Sequence, residues 1–384
     1  MTSSFHCSQH HAVIYDRGGT TRIGEVKRIS QVEWNRDRDG VSEAKIVIEG
    51  GRDCRSQRKL ISSLIAKRHE LVIFRGDERV WEGPIWRISD TRTQIEVHAR
   101  DVCIYLFGTM LSKPWDNRKN VVPVTTRFET IIAYELTNSR VGRKVGGGTT
   151  AFPAWESLDP PANILPYLTV HHFPNEAETA AFTQAFSTTV GLHLAYAARQ
   201  SGIDYTAVGR AIHLWDTSRW IGTTRTLTEA DFYGDVIVTD YGADHTQAAY
   251  VTGQDGAYGE AINPENLDIY GPWASSYTAY QEEGTAAPTV AALNSQAARN
   301  TSGRSPVPVE VRIPDNSSIR LSETLQLKHL VPGTRIPLLA RLNTRARNQM
   351  QKLDHLTVRE SEKGEEILVT MSPASREDSD VEEG

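Results

Sequence analysis

The sequence has few cysteines, no long apolar run and no excess of basic charge. Its three cysteines, Cys7, Cys54 and Cys103, are odd in number and widely spaced. This spacing argues against a disulfide framework or a paired zinc knuckle and favours thiols made in a reducing cytoplasm. No stretch approaches the roughly 18 consecutive apolar residues of a membrane helix, and the N-terminus lacks the pattern of a secretory signal. A formal net charge of -6 leaves no overall positive field for nucleic acid.

The remaining composition indicates a large, β-rich protein. A chain of 384 residues is too long for one ordinary core, which predicts two to four domains. Hydrophobic residues make up 39% of the chain, which is enough for globular packing. Eight tryptophans and 13 tyrosines outnumber four methionines, and this bias favours strands and interfaces over helical bundles.

The first hundred residues contain four runs with strand character. In the first run, Ala44, Ile46 and Ile48 fall on one face and polar residues on the other. Such runs, separated by turns, predict a meander or a small barrel. The predicted strands are 43–50, 69–76, 80–89 and 93–101, and a short helix is predicted over 60–68.

The stretch RGDERVWEGPIWRI, residues 75–88, predicts a hairpin. Gly76 can supply the positive φ of a tight turn, and this turn explains the Arg-Gly-Asp triplet better than integrin-type adhesion does. Pro84 cannot donate a ladder hydrogen bond, so the Gly83-Pro84 step is predicted at an edge or a bulge, where the glycine relieves crowding. The tryptophans predicted to cover this bend are Trp81 and Trp86.

A helix-containing region follows from about Lys113. The segment 125–138 predicts a helix, with Thr126 and Glu129 at the spacing of a capping box. Its apolar face comprises Phe128, Ile131, Ile132 and Leu136. The segment 139–163 is rich in Gly and Pro and predicts a long loop, and 175–202 predicts a second helical region that ends at Gly202. Two aromatic residues one turn apart in that region are Phe182 and Phe186.

Strand patterns return in the last part of the chain. The expected elements are a hairpin over 203–216 with its bend at Gly209, a strand pair within 235–254, a helix over 288–303 that ends at Gly303, a strand over 307–314, a type II turn at Pro332-Gly333, and a terminal hairpin through Lys363-Gly364. The order is therefore β, helix-containing, β, which is compatible with a duplicated architecture although no sequence repeat is visible.

One short acidic pattern is a candidate metal site. Asn35, Asp37, Asp39 and Gly40 occupy positions 1, 3, 5 and 6 of a calcium loop, but Ile46 stands at the twelfth, where a bidentate Glu belongs. A metal loop and a charged hairpin turn at Asp39-Gly40 both remain open, and the turn is the simpler interpretation.

Other candidates have simple structural explanations. The adjacent pairs His10-His11 and His171-His172 would point to opposite faces of a strand. The glycine-rich segment 145–150 lacks the context of a phosphate loop. Within 217–235, Arg219 and Arg225 lie among aromatic residues, which fits base or sugar stacking or an ordinary strand surface. No residue is assigned as catalytic, cofactor-binding or metal-binding.

Several of these segments resemble the minor tail proteins of long-tailed, non-contractile bacteriophages (siphophages), which act as the tail-tip hub. The likeness runs from about Val26 to Pro373 and rests on short structural motifs. These are HELVIFRGDERVWEGPIWRI with its W-x-G-P-I run, IEVHARDVCIYL with the Ala99-Arg100-Asp101 step, GIDYTAVGRAIHLW, LVPGTRIPL and EEILVTMSP.

The resemblance implies a β-rich α+β, multidomain chain with two β-barrel-like tube domains and a helix-containing insert. The implied ranges are 1–113 for the first tube domain, 114–202 for the insert and 203–373 for the second tube domain, with 203–228 alternatively packing with the first. The acidic segment 374–384 is expected to be a disordered tail. Three copies would form a ring that joins the hexameric tail tube to the trimeric central fibre and lines the DNA exit channel.

The implied location is the virion tail tip, after synthesis in the host bacterial cytoplasm. Implied partners are further copies of the chain in a homotrimer, distal tail and tail tube proteins, the tape measure protein, the central fibre or other minor tail proteins, and phage DNA that passes without specific binding. An acidic ring wall would repel its phosphates. No enzyme activity or cofactor is expected. The chain lacks the long C-terminal extension that carries fibres or peptidases in relatives, which argues against a cell-wall hydrolase. Alternatives are a host-surface glycan-binding module and a glycan hydrolase.

Overall fold

The computed structural model divides into two compact units. Unit 1 comprises Met1–Ala198, Ile203–Trp215 and His355–Leu368, and unit 2 comprises Arg199–Gly202, Asp216–Asp354 and Val369–Gly384. No helix in the described part of the chain is long and apolar enough to cross a membrane. The described residues are 9–49, 55–116, 121–138, 167–175, 183–184, 187–200, 202–240, 246–253, 256–264, 271–279, 287–302, 309–312, 317–342 and 345–373.

Unit 1 contains most of the strands of the first half of the chain and the helices that pack on them. Its strands are β1 (His10–Tyr15), β2 (Arg22–Val26), β3 (Ile29–Asp37), β4 (Glu43–Glu49), β5 (Glu70–Arg75), β6 (Glu78–Asp90), β7 (Gln94–Arg100), β8 (Thr169–His172), β9 (Ile203–Val208) and β10 (Ala211–Asp216). Its helices are α1 (Arg55–Ser62), α2 (Ile104–Phe107), α3 (Val124–Asn138) and α4 (Val190–Gln200).

The main sheet of unit 1 confirms the predicted strands. Its order is β3-β4-β7-β6-β5-β1-β2, and each neighbouring pair is antiparallel. Ala44, Ile46 and Ile48 are buried on one face of β4, as their alternation predicts. A β-rich fold is therefore confirmed, whereas the described pairings do not close a ring and the barrel stays a prediction. The helix predicted over 60–68 is displaced, because α1 begins at Arg55 and ends at Ser62.

Helices α3 and α4 share a core with the small sheet β8-β10-β9. The predicted apolar face of α3 is confirmed, since all four of its residues are almost fully buried in this core. The predicted capping box is wrong, because α3 begins at Val124 and Thr126 therefore lies inside its first turn. The side-chain oxygen of Asn175 instead accepts a hydrogen bond from the backbone N–H of Thr125 at 3.2 Å.

The second helical region is shorter than predicted. Thr183 forms a backbone bridge with Trp115 and Thr189 forms one with Met110, so α4 starts only at Val190. The β-branched threonines before α4 favour this extended pairing, which supplies hydrogen bonds that helical spacing alone does not reveal. Gly202 follows α4 with a φ of 60°, as a helix stop requires. Phe182, Phe186 and the predicted loop 139–163 lie outside the described residues.

Unit 2 is built from shorter strands. They are β11 (Gly222–Thr223), β12 (Leu227–Thr228), β13 (Phe232–Tyr233), β14 (Ile237–Asp240), β15 (Ala248–Thr252), β16 (Tyr258–Ile262), β17 (Ala274–Thr278), β18 (Val309–Arg312), β19 (Ser318–Ile319) and β20 (Thr334–Leu342). Helix α5 (Val290–Ser302) confirms the helix predicted over 288–303, and its expected stop at Gly303 lies outside the described residues. Two single 3-10 turns are Glu229–Asp231 and Leu327–His329.

Pairing within unit 2 is largely between distant segments. The strand pair predicted within 235–254 is wrong in its pairing: β14 pairs with β18, and β15 lies between β16 and β17. Both strands exist, but partners farther along the chain take their hydrogen bonds. The type II turn is confirmed, because the Thr334 N–H donates to the Val331 carbonyl at 2.9 Å and Gly333 has a φ of 90°.

The last two strands form the predicted terminal hairpin. They are β21 (Arg345–Ser361) and β22 (Gly364–Pro373), joined at Gly364, whose φ is 101°. The first part of β21 pairs with β20 in unit 2, and its last part pairs with β3 in unit 1. The chain therefore returns to unit 1 close to its C-terminal end.

Candidate functional site

The acidic hairpin uses its side chains for contacts within the fold. Asp39 has a φ of 59° in the β3–β4 turn, and its carboxylate accepts a hydrogen bond from the Tyr205 N–H at 2.9 Å. Asp37 pairs with His355. Ile46, at the position where a calcium loop needs a carboxylate, is fully buried. Among the described residues, no three His, Cys, Asp or Glu side chains are grouped to hold a metal.

The histidines also have structural surroundings. The buried His10 ring contacts the Glu360 carboxylate at 2.9 Å through Nδ1, and burial lowers the pKa of this imidazole. His11 stacks on Phe74 with ring centroids 4.9 Å apart. His171 stacks on a histidine of the neighbouring strand. The ring of His172 instead contacts the Glu129 carboxylate on α3, at 3.2 Å.

The Arg-Gly-Asp triplet is a hairpin turn, as predicted. Gly76 has a φ of 57°, and the guanidinium of Arg75 binds the Glu365 carboxylate with contacts of 2.7 and 2.8 Å. Arg225 likewise pairs with Asp231 at 3.0 Å, so at least that arginine of the aromatic segment 217–235 supports the fold. The glycine-rich segment 145–150 lies outside the described residues.

Strand β6 changes partners at the Gly83-Pro84 step. Up to this step it pairs with β5, and beyond it with β7. A Cβ on Gly83 would lie 1.9 Å from the backbone oxygen of Arg100, so only glycine fits this crossing. Trp81, just before the step, is 3% exposed, and its indole N–H donates to the Asn35 carbonyl at 3.1 Å.

Asp101 anchors the chain that crosses Gly83. Its carboxylate accepts hydrogen bonds from the backbone N–H groups of Ser42 at 2.8 Å and Cys103 at 2.9 Å. It thereby joins the β3–β4 turn to the start of α2. Cys103 is a buried free thiol whose pKa is raised by burial, and the other two cysteines lie outside the described residues. The acid that closes the Ala-x-Asp step is therefore a structural anchor.

A buried group of charges, absent from the sequence expectations, lies beside this anchor in unit 1. Arg210 of the β9–β10 turn contacts the carboxylates of Glu70 at 2.6 Å and Glu82 at 3.3 Å. Arg79 contacts Glu82 at 3.0 Å. The Tyr105 hydroxyl donates to Glu70 at 2.7 Å. These side chains connect β5, β6, α2 and the β9–β10 turn, and we call them the buried charge cluster.

Burial is the largest single influence on the pKa values of Glu82, Arg210 and Tyr105 in the buried charge cluster. It raises the pKa of the Glu82 carboxyl, although Arg79 and Arg210 favour the charged form. Burial lowers the pKa of Arg210, but Glu70 and Glu82 outweigh this effect and leave that pKa raised. Burial and the charge of Glu70 raise the pKa of Tyr105 well above its ordinary value. The cluster is therefore a mutually stabilised ionic contact. The sequence contains one sign of this cluster, because Glu70 and Glu82 each lie within a largely apolar strand.

Two further buried groups in unit 1 oppose each other in their pH dependence. Burial raises the pKa of the Asp101 carboxyl to about 7, despite the backbone donors that favour its charged form. Burial lowers the pKa of the His193 imidazole to about 4. The His193 ring packs on Phe128, with centroids 5.0 Å apart. The fold thus disfavours the charged form of both groups.

These shifts predict opposite stability profiles for two variants. The contribution of Asp101 to the free energy of unfolding is complete below pH 3.8 and is lost as the pH rises through about 7. The contribution of His193 to the free energy of unfolding is complete above pH 6.5 and is lost as the pH falls through about 4. We compare each variant with the wild type as the pH rises from about 4.5 to about 6.5. Over this rise the free energy of unfolding of Asp101→Asn should increase relative to the wild type, and that of His193→Leu should decrease. Urea midpoints at both pH values measure this, and parallel profiles would contradict it.

Trp86, the second tryptophan of the predicted hairpin, points outward. The register between β6 and β7 shifts between Ile85 and Arg87, so that one extra residue, Trp86, is accommodated as a bulge. Ile85 is fully buried, whereas Trp86 is 39% exposed. The prediction that both tryptophans cover the bend is therefore correct for Trp81 in the core, while Trp86 lies on the surface.

Unit 2 has a separate exposed aromatic surface. The sheet β16-β15-β17 packs one face on α5, through residues that include Ala249 and Val251 of β15 and Leu293 of the helix. The opposite face carries Tyr250, and the register places the partly exposed side chains of β16 on the same face. The exposed side chains that we call the outer face of β16-β15 are Tyr250, Tyr258 and Ile262.

Comparison with solved structures relates this fold to phage tail proteins. No protein-family model and no curated protein sequence matches the chain. The 43 kDa tail protein of prophage MuSo2 from Shewanella oneidensis superposes with a TM-score of 0.57 at 11% identity, over 96% of this chain and 100% of that chain. A tail protein from Neisseria meningitidis MC58 gives 0.56 at 10% identity, over 95% and 97%. Prophage tail protein gp18 from Listeria monocytogenes EGD-e gives 0.54 at 8% identity, over 94% of each chain. The chain therefore has a β-rich fold that these tail proteins share.

Proposed function

We propose that this chain is a structural protein of a bacteriophage tail. The observation that carries the proposal is the fold shared with the MuSo2 tail protein, which spans 96% of this chain and the whole of that one. The similarity includes both units, so it concerns the whole architecture rather than one common module. The interior supports a structural role, because candidate polar residues such as His10 and Asp39 contact Glu360 and the backbone of Tyr205 within the fold.

The finer proposal is a trimeric tail-tip hub. Each copy would contribute its two sheet-built units to a ring between the hexameric tail tube and the trimeric central fibre. Support comes from the segments that resemble siphophage hubs, because HELVIFRGDERVWEGPIWRI forms β5 and β6 and IEVHARDVCIYL forms β7 and α2. Proposed partners are further copies, distal tail and tail tube proteins, the tape measure protein, and the central fibre or other minor tail proteins.

In this role the protein would not act as an enzyme and would need no cofactor. DNA would pass through the ring without specific binding. The formal net charge of -6 supports this, since carboxylates along a channel repel the phosphates. Charges on an assembled ring provide a check, because a strongly basic channel would contradict a passive DNA conduit.

A second candidate function is glycan binding at the host surface. The observation that favours it is the outer face of β16-β15, where Tyr250 and Tyr258 expose aromatic rings beside the polar side chain of Glu260. Aromatic rings and adjacent hydrogen-bonding groups are suited to sugar binding. On this hypothesis the chain would be an adhesion module of the tail tip.

Phage genetics separates the two functions. Deletion of the gene should leave no tails if the chain is the hub, because the tube would lack its base. The same deletion should leave complete but non-adsorbing tails if the chain only binds glycans. A Tyr250→Ser/Tyr258→Ser variant should assemble normally and retain infectivity under the hub proposal. Electron microscopy of lysates and plaque counts provide the readouts, and normal tails after deletion would overturn the hub.

A further inference from the structure

The exposed Trp86 is held by two unusual backbone features. The bulge between Ile85 and Arg87 turns both Trp86 and Arg87 outward. Facing it, Lys67 has a left-handed φ of 66°, which few residues other than glycine adopt, and its N–H donates to the Ile85 carbonyl at 2.7 Å. Bulges and left-handed residues concentrate where a fold must present particular side chains. Here they present an aromatic ring and cations on one surface.

Cations surround this ring. The Lys67 ammonium lies 4.6 Å and the Arg100 guanidinium 4.9 Å from the centre of the Trp86 ring. Arg87 lies beside them, with its guanidinium 2.9 Å from the His98 ring. We call these three cations and Trp86 the Trp86 patch. Since cations already occupy the vicinity of the ring, stacking of a sugar or base is disfavoured relative to binding of an anion.

The Trp86 patch has more positive than negative charge. Arg100 is neutralised by Glu43, whose carboxylate lies 3.0 Å from its guanidinium. Neither Lys67 nor Arg87 takes part in an ion pair among the described residues, although the Glu96 carboxylate contacts the same nitrogen of His98 as Arg87 does, at 3.2 Å. The side chains of Lys67 and Arg87 are exposed. The surface therefore matches a partner with several flexible carboxylates, which the ammonium and guanidinium groups can bind with charge-assisted hydrogen bonds.

The chain itself contains a segment with this chemistry. Residues 375–384, SREDSDVEEG, carry five carboxylates and a single arginine and follow the last described strand. We propose that the Trp86 patch docks this acidic C-terminal segment, donated by another copy of the chain. The match is one of charge: an anionic peptide against two unneutralised cations. The proposal concerns contact between copies and stands whether or not those copies form the trimeric ring.

The test uses the full-length chain and the peptide Ser375–Gly384 with a fluorescent label. The five acids of the chain's own segment are first replaced by the corresponding amides, so that it does not compete. We expect saturable binding by anisotropy that weakens as salt is raised. Lys67→Ala/Arg87→Ala should weaken it about fivefold, as the loss of two surface ion pairs implies. Lys363→Ala, in the exposed β21–β22 turn, should leave it unchanged.

Two further measurements make the result decisive. A peptide with amides in place of its five acids should not bind, and circular dichroism should report an unchanged fold for the surface variants. Equal binding by the Lys67→Ala/Arg87→Ala variant and its parent would overturn the proposal. Displacement of the peptide by a short DNA duplex at a lower concentration than by unlabelled peptide would also overturn it, and would assign the patch to nucleic acid.

Discussion

Replacement of Gly83 by valine is expected to prevent unit 1 from folding into a soluble domain. The added Cβ would lie 1.9 Å from the Arg100 oxygen and 2.8 Å from the Asp101 Cα, and both are backbone atoms that cannot rotate away. Two strands would have to separate where β6 passes from β5 to β7, and the hydrogen bonds of Asp101 would be lost with them. We expect a loss of more than about 4 kcal/mol in the free energy of unfolding.

Gly108→Ala is the matched control for this prediction. Gly108 has a φ of -89°, and its added Cβ would meet only the backbone oxygens of Tyr105 at 3.6 Å and Ile104 at 3.7 Å, which are ordinary contact distances. We expect a change within about 1 kcal/mol. Trp81→Ala removes a buried ring beside the same crossing and should cost about 3–5 kcal/mol. Soluble fractions and urea midpoints measure all three variants, and a soluble Gly83→Val chain with a wild-type midpoint would refute the described crossing.

Arg210→Met is expected to cost about 3–5 kcal/mol, because it leaves the fully buried carboxylate of Glu70 without its closest cation. Glu82 would retain Arg79 as its only described cationic neighbour in the buried charge cluster. The loss should appear as a lower urea midpoint. The loss should also be greater above the raised pKa of the Glu82 carboxyl than in acid, where protonation removes the charge of Glu82.

A double-mutant cycle tests whether the effect belongs to this ion pair. Glu70→Gln/Arg210→Met should be less destabilised than the sum of the single variants by at least about 1 kcal/mol. Arg225→Met provides the control, since Arg225 pairs with Asp231 in a partly exposed contact and should cost no more than about 1 kcal/mol. An additive cycle, or equal losses for Arg210→Met and Arg225→Met, would exclude the role assigned to the buried charge cluster.

Local patterns predicted the elements whose partners are close in sequence. The alternation over 43–50 identified β4, and the spacing of Phe128, Ile131, Ile132 and Leu136 identified the buried face of α3. The positive φ of Gly76 and Gly364 was also predictable, because tight turns between the two strands of a β-hairpin need residues with positive φ. In each case the element is determined by the burial of one face or by the geometry of a turn, and both depend on a few consecutive residues.

Features that depend on distant partners were not predictable in this way. Strand β14 has its partner some seventy residues later, so the pattern gave its existence but not its pairing. Arg210 meets Glu70 across 140 residues of sequence, and no spacing rule links them. The outward direction of Trp86 results from a one-residue bulge, which reverses the face that alternation predicts. The Trp86 patch therefore became visible only in three dimensions.

The contact between His10 and Glu360 has a consequence for biosynthesis. The two residues are 350 positions apart, so the first strand leaves the ribosome long before the carboxylate that its buried imidazole contacts. At roughly 5–20 residues per second, that interval lasts on the order of tens of seconds. Until then β3 also has a free edge, since its partner β21 is not yet translated. Unit 1 must therefore complete its folding after Glu360 has been synthesised, and nascent chains stalled before Glu360 should be the species most in need of chaperones.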